Sequence, residues 1–192
     1  MAAITQASYF AHTPFDSVGA EPDIMSFQQF EQTVVSPALK HVARHWNAVR
    51  GSRAMPAWDD IVPSQIAAEL TIVWSYRYDR TADAFTGRLA GDQIEKIFGK
   101  KFRGSPMSKL YRGDDFTQMF ARFKRVVREP ALYRSEGMVF RFADRYGHGE
   151  RIALPLADGG VAGDGIFGAT KYNSIGGTPG QGLPECESWF AV

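Results

Sequence analysis

Four charged side chains within the segment 46–66 are of types that could do chemistry. Arg50 and Arg53 could grip a phosphate, because the planar guanidinium matches an anion with paired N–H groups. Asp59 and Asp60 could act as a carboxylate pair. A structural interpretation competes with both: the segment joins a helix to a sheet, the arginines bind carboxylates or the last carbonyls of the helix, and an aspartate caps the short turn that follows. We favour the structural interpretation.

A G-x-G-x-x-G pattern is formed by Gly163, Gly165 and Gly168. In a dinucleotide site these glycines open a helix whose N-terminal amides bind pyrophosphate. The residues that follow, ATKYNSIGG, are typical of a strand and a turn rather than of a helix. The pattern therefore predicts a hairpin turn.

Two histidines, His41 and His45, have the spacing that lets two imidazoles face one metal ion. No glutamate of the H-E-x-x-H kind lies between them, so we expect a solvated helix face. The single cysteine, Cys186, excludes an internal disulfide and a thiolate cluster within one chain. With no G-x-S-x-G elbow either, the sequence predicts no metal site, no catalytic residues and no enzyme.

The charge balance makes a nucleic acid an unlikely partner. Lys and Arg total 22 against 21 Asp and Glu, so the formal net charge is +1 and no strong field attracts a polyanion. Basic residues cluster at 100–103 and along 122–128, which suits a phosphate backbone or an acidic partner surface. No apolar stretch approaches the ~18 residues that span a bilayer and no signal peptide is recognisable, so we expect a cytoplasmic protein without membrane contact.

Hydrophobic periodicity predicts helices and strands in two groups. After Ser26, apolar residues at helical spacing predict a long amphipathic helix over about 27–50, kinked or interrupted at Pro37. A second helix covers 114–130, with Asp114 or Asp115 as its cap. The remaining patterns predict short helical fragments over 92–113 and strands over 71–78, 85–91, 135–143, 151–157 and 166–172.

Five strands in a two-plus-three split, with helices between the groups, is the order of a PAS domain. The chain resembles the bacterial family of stand-alone PAS-domain proteins formerly classed as a domain of unknown function, over about residues 40–172. The resemblance is carried by Trp46, Arg50, Gly51, Arg53, Met55, Pro56, Asp60, Ile61, Pro63, Ile66, Leu70, RLAG (88–91), Phe98, Gly99, Gly104 and IALPL (152–156). Trp46, Arg50, Arg53 and Pro56 form the connector of the family motif.

The resemblance implies an α+β PAS fold. Its parts are a five-stranded antiparallel sheet, short helices plus one longer helix on one face of the sheet, and a long N-terminal amphipathic helix. We divide the chain into an N-terminal arm (1–25), an amphipathic helix and connector (26–66), a PAS core (67–173) and a Gly/Pro-rich C-terminal tail (174–192).

A PAS sheet curls around its helices and encloses an apolar space, which is either a filled core or a ligand pocket. We expect its lining to include Trp74, Phe98, Tyr111, Phe123, Met138, Phe140 and Phe167. The identity of any cofactor is unknown. Haem is argued against because 114–130 contains no histidine where haem-binding PAS domains place their ligand, and photoactive flavin because 92–130 contains no cysteine.

The resemblance also implies a function: a non-catalytic sensory or regulatory module of bacterial signal transduction. Such a module acts through protein–protein contacts, with partners such as histidine kinases, and with or without a small ligand in the PAS cavity. We expect a homodimer through the N-terminal helix, whose apolar stripe needs cover. The alternatives are a nucleic-acid-binding regulator and a small-molecule enzyme that uses the PAS pocket.

Overall fold

The strands are β1 Val73–Asp79, β2 Ala84–Ala90, β3 Ala131–Phe142, β4 Arg145–Leu156, β5 Gly165–Gly176 and β6 Cys186–Ala191. They pair antiparallel in one sheet with the order β2-β1-β5-β4-β3-β6. These elements are those of a computed structural model that describes residues 22–142, 145–159, 161–176 and 185–192. Almost all of the predicted N-terminal arm, 1–25, lies outside the described residues.

The helices are α1 Pro22–Thr33, α2 Pro37–Arg50, α3 Asp92–Phe98, α4 Met107–Leu110 and α5 Gly113–Arg128. Two 3₁₀ turns, Trp58–Asp60 and Pro63–Glu69, connect α2 to β1. Within the described ranges, the helices are all too short or too polar to cross a membrane.

The predicted helix over 27–50 is broken into two helices at Pro37. Proline has no N–H group to donate to the preceding turn, so Pro37 begins α2 instead of continuing α1. The Ser36 hydroxyl accepts the N–H of Leu39 at 3.5 Å and caps the new helix. Of the two outcomes expected at Pro37, the structure has the interruption.

Helix α5 is confirmed, but its predicted aspartate cap is wrong. Arg112 is the N-cap residue, and its side chain makes no capping hydrogen bond. Asp114 and Asp115 lie within the first turn, where a carboxylate complements the positive end of the helix without capping it.

The antiparallel sheet is confirmed, but it has six strands rather than five. Strand β6 pairs with β3 in the segment predicted as a tail. Its side chains alternate between the two faces: Trp189 packs on Tyr133 at 4.6 Å, and Phe190 lies edge-on to Phe30 at 5.8 Å. The Gly/Pro-rich sequence before β6 concealed the short alternation of side chains that is typical of a strand. Strand β4 also begins earlier than predicted, because residues 145–150 pair with β3 instead of forming a turn.

Helices cover both faces of the sheet. On the outer face, α1 and α2 pack through Phe30, Leu39 and Trp46 onto the sheet. On the inner face, α3, α4 and α5 enclose an aromatic cluster that includes Trp74, Tyr76, Tyr78, Phe85, Phe98, Phe102 and Phe123. The apolar stripe of the N-terminal helices is therefore covered within a single chain.

Candidate functional site

The candidate site lies on the inner face of the sheet, and we call it the inner cavity. Alternate residues of β1, β4 and β5 point into it, because side chains along a strand alternate between the two faces. Its lining is Trp74, Tyr76, Ile94, Phe98, Phe102, Tyr111, Arg151, Thr170 and Tyr172. The space left open is about 10 Å³, enough for about one water molecule. Aromatic side chains thus fill most of the interior.

Ring contacts hold these walls in place. Trp74 stacks on Phe123 with the ring centroids 5.2 Å apart, and its indole N–H donates to Thr170 Oγ1 at 2.9 Å. Phe98 lies edge-on to Tyr111 at 5.4 Å. Aromatic pairs of this kind contribute about 0.5–1.5 kcal/mol each beyond their buried area. The cavity walls are therefore well defined.

The structure distributes the predicted lining residues over different places. Four belong to the inner aromatic cluster or pack against it: Trp74, Phe98, Tyr111 and Phe123. Phe167 lies on the outer face instead, because its neighbour Ile166 takes the inward position in the alternation of β5. Met138 is half-buried beside a bulge in β3 and belongs to neither cluster. The side chain of Phe140 lies outside what the structure describes.

A buried arginine dominates the electrostatics of the inner cavity. Arg151 is 2% exposed, donates to the carbonyl oxygen of Val139 and contacts Met119 Sδ at 3.1 Å. Its carboxylate partner is Glu185, with Nη1 3.9 Å from Oε1, while Oε2 of the same carboxylate binds Arg122 at 2.9 Å. Glu185 Oε1 has no hydrogen-bond partner among the described residues. A buried charge paired at such a distance retains a strong attraction for an anion.

Tyrosine hydroxyls accompany this arginine. Burial raises the pKa of Tyr76 well above its usual value and likewise raises the pKa of Tyr111, Tyr133 and Tyr172. All four phenols are therefore neutral at physiological pH. The hydroxyl of Tyr76 faces that of Tyr111, and the hydroxyl of Tyr133 faces the side chain of Ser135. One cation with neutral O–H donors beside it could bind a small anion.

Sequence reasoning predicted Tyr111 but missed Arg151 and the other tyrosines around it, Tyr76, Tyr133 and Tyr172. In RIALPLA the alternation of Ile152, Leu154 and Leu156 with Arg151 and Ala153 is typical of a strand with one solvated face. The structure covers both faces. A signal was present in β1, where Trp74, Tyr76 and Tyr78 share one parity and so indicate an aromatic second layer.

The family-motif connector is attached to the end of β4. Trp46 is fully buried, and its indole N–H donates to the carbonyl oxygen of Pro155 at 2.9 Å. The carbonyl oxygen of Pro56 accepts the N–H of Ala157 at 3.0 Å. These two hydrogen bonds fix where α2 leaves the sheet.

Arg50 and Arg53 hold the C-terminal end of α2. Arg53 donates to the carbonyl oxygens of Val49 at 2.7 Å and Arg50 at 3.1 Å, and it pairs with Asp60 at 2.8 Å. The guanidinium of Arg50 lies 5.5 Å from the ring centroid of Trp46. In this arrangement the arginines contact helix carbonyls, a carboxylate and an aromatic ring.

The two adjacent aspartates do not act together. Asp60 accepts the N–H of Ala57 at 2.6 Å, and this bond, followed by the Arg53 guanidinium, lowers the pKa of Asp60. It therefore caps the turn Trp58–Asp60 rather than a turn around Pro63. Asp59 faces a separate cleft.

The two histidines also have different partners. His41 Nδ1 lies 3.0 Å from a Glu69 carboxylate oxygen. His45 is only 8% exposed, and its Nε2 accepts the N–H of Val62 at 3.0 Å, so the expectation of a solvated face fails for this residue. In the ranges that the structure describes, no group of three or more His, Cys, Asp or Glu residues could hold a metal ion.

A second buried charge, Glu150, anchors the N-terminal helices on the outer face. It is 4% exposed, and its carboxylate accepts the N–H groups of Val35 at 2.9 Å and Ser36 at 2.7 Å. Arg134 Nε donates to it at 2.6 Å. The joint between α1 and α2 is therefore bound directly to strands β3 and β4.

The basic residues of α5 have nearby partners. The contacts are Arg122 with Glu185 and Glu187, Lys124 with Asp83, Arg125 with Glu129, and Arg128 with the Tyr78 hydroxyl. Three of these four side chains pair with a carboxylate, which reduces the positive potential of this face and its attraction for a polyanion.

The G-x-G-x-x-G pattern lies at the start of β5, where a dinucleotide site would need a helix. A Cβ at Gly165 would lie 1.9 Å from the Trp58 ring, and one at Gly168 would lie 2.4 Å from the Trp74 ring. The glycines therefore make room for two indoles that pack on opposite faces of the strand.

The core order β2-β1-β5-β4-β3, with α3, α4 and α5 over a buried cavity, defines an α+β fold of the PAS class. A family model described as a PAS domain matches residues 34–170. The chain belongs to this PAS-domain family, and the resemblance seen in the sequence is confirmed. No curated protein and no solved structure matches the chain.

Proposed function

We propose that the protein is a cytoplasmic, non-catalytic PAS module that regulates signal transduction through protein–protein contacts. Membership of the PAS family supports a sensory or regulatory role. The chemistry of the inner cavity supports binding over catalysis. Its polar groups include a buried guanidinium and phenols whose pKa is raised by burial, and neither is an effective general base near neutral pH.

The observation that carries the proposal is the chain of charges from Arg151 through Glu185 to Arg122. Glu185 immediately precedes β6, which forms one edge of the sheet. A small carboxylate or phosphate that reached Arg151 would compete with Glu185 and weaken the attachment of β6. Because edge strands readily exchange pairing partners, the state of the cavity would change what this edge contacts.

The size of the cavity sets a condition on this ligand. With room for about one water molecule, the cavity admits a larger anion only if a wall residue such as Tyr111 moves. A ligand of this kind therefore binds the conformation with the widened cavity in preference to the conformation with the filled cavity, as a switch requires.

Reconstitution with signalling enzymes tests the proposal. Purified protein is added to each histidine kinase of the organism that encodes it, and autophosphorylation is measured. We expect one kinase to change its rate several-fold, and Arg151→Met to abolish that change while the surface variant Arg112→Gln retains it. If no kinase responds, or if both variants behave like the unmodified protein, the proposed route is refuted.

Homodimerisation through the N-terminal helices is a further part of this proposal. Since their apolar stripe already packs on the sheet, a second copy would have to use the opposite side of α1 and α2, beside Val35, which is 69% exposed. Val35→Glu should then reduce the dimer fraction in sedimentation equilibrium. A protein that is monomeric at all concentrations would refute the dimer.

A further inference from the structure

A second cleft, separate from the inner cavity, opens on the outer face. It lies between the two 3₁₀ turns and strands β1 and β2, and its volume is about 420 Å³. Ile66 forms part of its wall, while Val73, Leu156 and Phe167 reach it from the sheet. We call it the outer cleft. Volumes of this order are typical of small-molecule sites.

The mouth of the outer cleft is apolar on one side. Leu70 and Leu89 both line it and are 37% and 48% exposed. A single exposed leucine is ordinary on a protein surface, but two that face one cleft continue its apolar wall out to solvent. An aliphatic chain lying in the cleft would cover both.

Two arginines supply the charge at this cleft. Arg88 and Arg103 are both exposed and both line it, and neither has an ion pair with any described residue. The guanidinium of Arg88 lies over the Trp58 ring at 4.2 Å from the centroid, which orients it without neutralising it. Asp59 contributes one negative charge to the lining, so the three groups leave a net positive site.

We propose that the outer cleft binds an amphipathic anion, an aliphatic chain that carries a carboxylate or phosphate head. The chain lies on Ile66, Leu70 and Phe167, and the head binds Arg88 and Arg103. A planar guanidinium binds such heads through paired hydrogen bonds. An uncharged chain would fill the cleft but leave the arginines unpaired, so the charge of the head decides affinity.

Isothermal titration calorimetry with matched probes tests this site. Decanoate and decyl phosphate should both bind, decanol should bind about tenfold more weakly, and acetate should not bind detectably. The double variant Arg88→Gln, Arg103→Gln should lose about tenfold in decanoate affinity and leave decanol unchanged. Arg112→Gln removes one exposed arginine elsewhere and is the control for a loss of positive charge away from the cleft.

Arg88 lies over the Trp58 ring, so its replacement also changes the packing of Trp58. A second variant therefore leaves Arg88 in place. Leu89→Glu places a carboxylate at the exposed mouth and removes one leucine that the chain covers, so it should weaken decanoate binding more than decanol binding. Hydrogen exchange should show decanoate protection over 58–70 and 88–89. Any of four results would overturn the proposal. They are equal affinity for decanol and decanoate, unchanged decanoate binding in the charge variants, absence of decanoate binding, and hydrogen-exchange protection confined to the inner cavity.

The source of the anion is distinguished by vesicles. Cosedimentation with phosphatidylglycerol vesicles, lost in the double arginine variant, would identify a membrane lipid as the source. Binding of decanoate without vesicle retention would identify a free acyl anion. Both results support the cleft as an amphipathic-anion site, and neither depends on the signalling role of the inner cavity.

Discussion

Replacing Glu150 with glutamine should weaken the attachment of the N-terminal helices to the sheet. The buried carboxylate accepts three hydrogen bonds, from Val35, Ser36 and Arg134. A glutamine has only one acceptor oxygen, so at most two of these bonds survive, each weaker by about 1 kcal/mol, and at least one buried donor loses its partner at a cost of about 1–3 kcal/mol. Glu150→Gln should therefore lower the free energy of unfolding by about 3–5 kcal/mol, the range for breaking a buried ion pair.

Urea unfolding followed by circular dichroism measures this loss, and hydrogen exchange at 35 and 36 should rise with it. Glu136→Gln is the matched control, because Glu136 binds the same Arg134 but its side chain is 52% exposed. An exposed pair of this kind contributes at most about 1 kcal/mol. If Glu150→Gln costs no more than Glu136→Gln, the carboxylate does not hold the helices and the reasoning is refuted.

Three further predictions concern the interior. Glu185→Gln should cost about 2 kcal/mol in urea unfolding, and combining it with Arg151→Met should cost less than the sum of the single variants, whereas additivity would mean that the ion pair carries no energy. Burial, and to a lesser extent His41, lowers the pKa of His45 below its usual 6.5. As the pH falls below 6.5 the unfolded chain therefore takes up a proton before the folded chain does, and the free energy of unfolding should decrease. The pH dependence of the free energy of unfolding should be weaker in His45→Gln. Gly168→Ala should destabilise by about 1–3 kcal/mol or more because of the ring beside it, whereas Gly176→Ala, on the same strand with nothing within 4 Å, should melt like the unmodified protein.

Local periodicity was sufficient for most elements of this fold. The aromatic and β-branched run that became β1 and the helical spacing of Phe116, Met119 and Phe123 in α5 depend only on residues close together in the chain. The break at Pro37 likewise follows from the chemistry of one residue. These features were predicted because no distant contact decides them.

The faces of the strands could not be predicted in the same way. Phe167 and Arg151 are assigned to a face by pairing with strands far away in sequence, and a sheet covered on both sides lacks the polar face that would reveal the parity. Strand β6 is stabilised by its pairing with β3, more than 40 residues earlier in the chain, which no local pattern reports. The candidate site therefore lay within the predicted core, but no sequence pattern indicated that Arg151 would be its charged residue.

Strand β4 places two buried charges, Glu150 and Arg151, next to each other. Glu150 points to the outer face and accepts hydrogen bonds from the α1–α2 joint. Arg151 points to the inner face and pairs with Glu185, the residue before β6. Because consecutive side chains of a strand point to opposite faces, the group that faces the inner cavity and the group that holds the helices on the outer face are one backbone step apart.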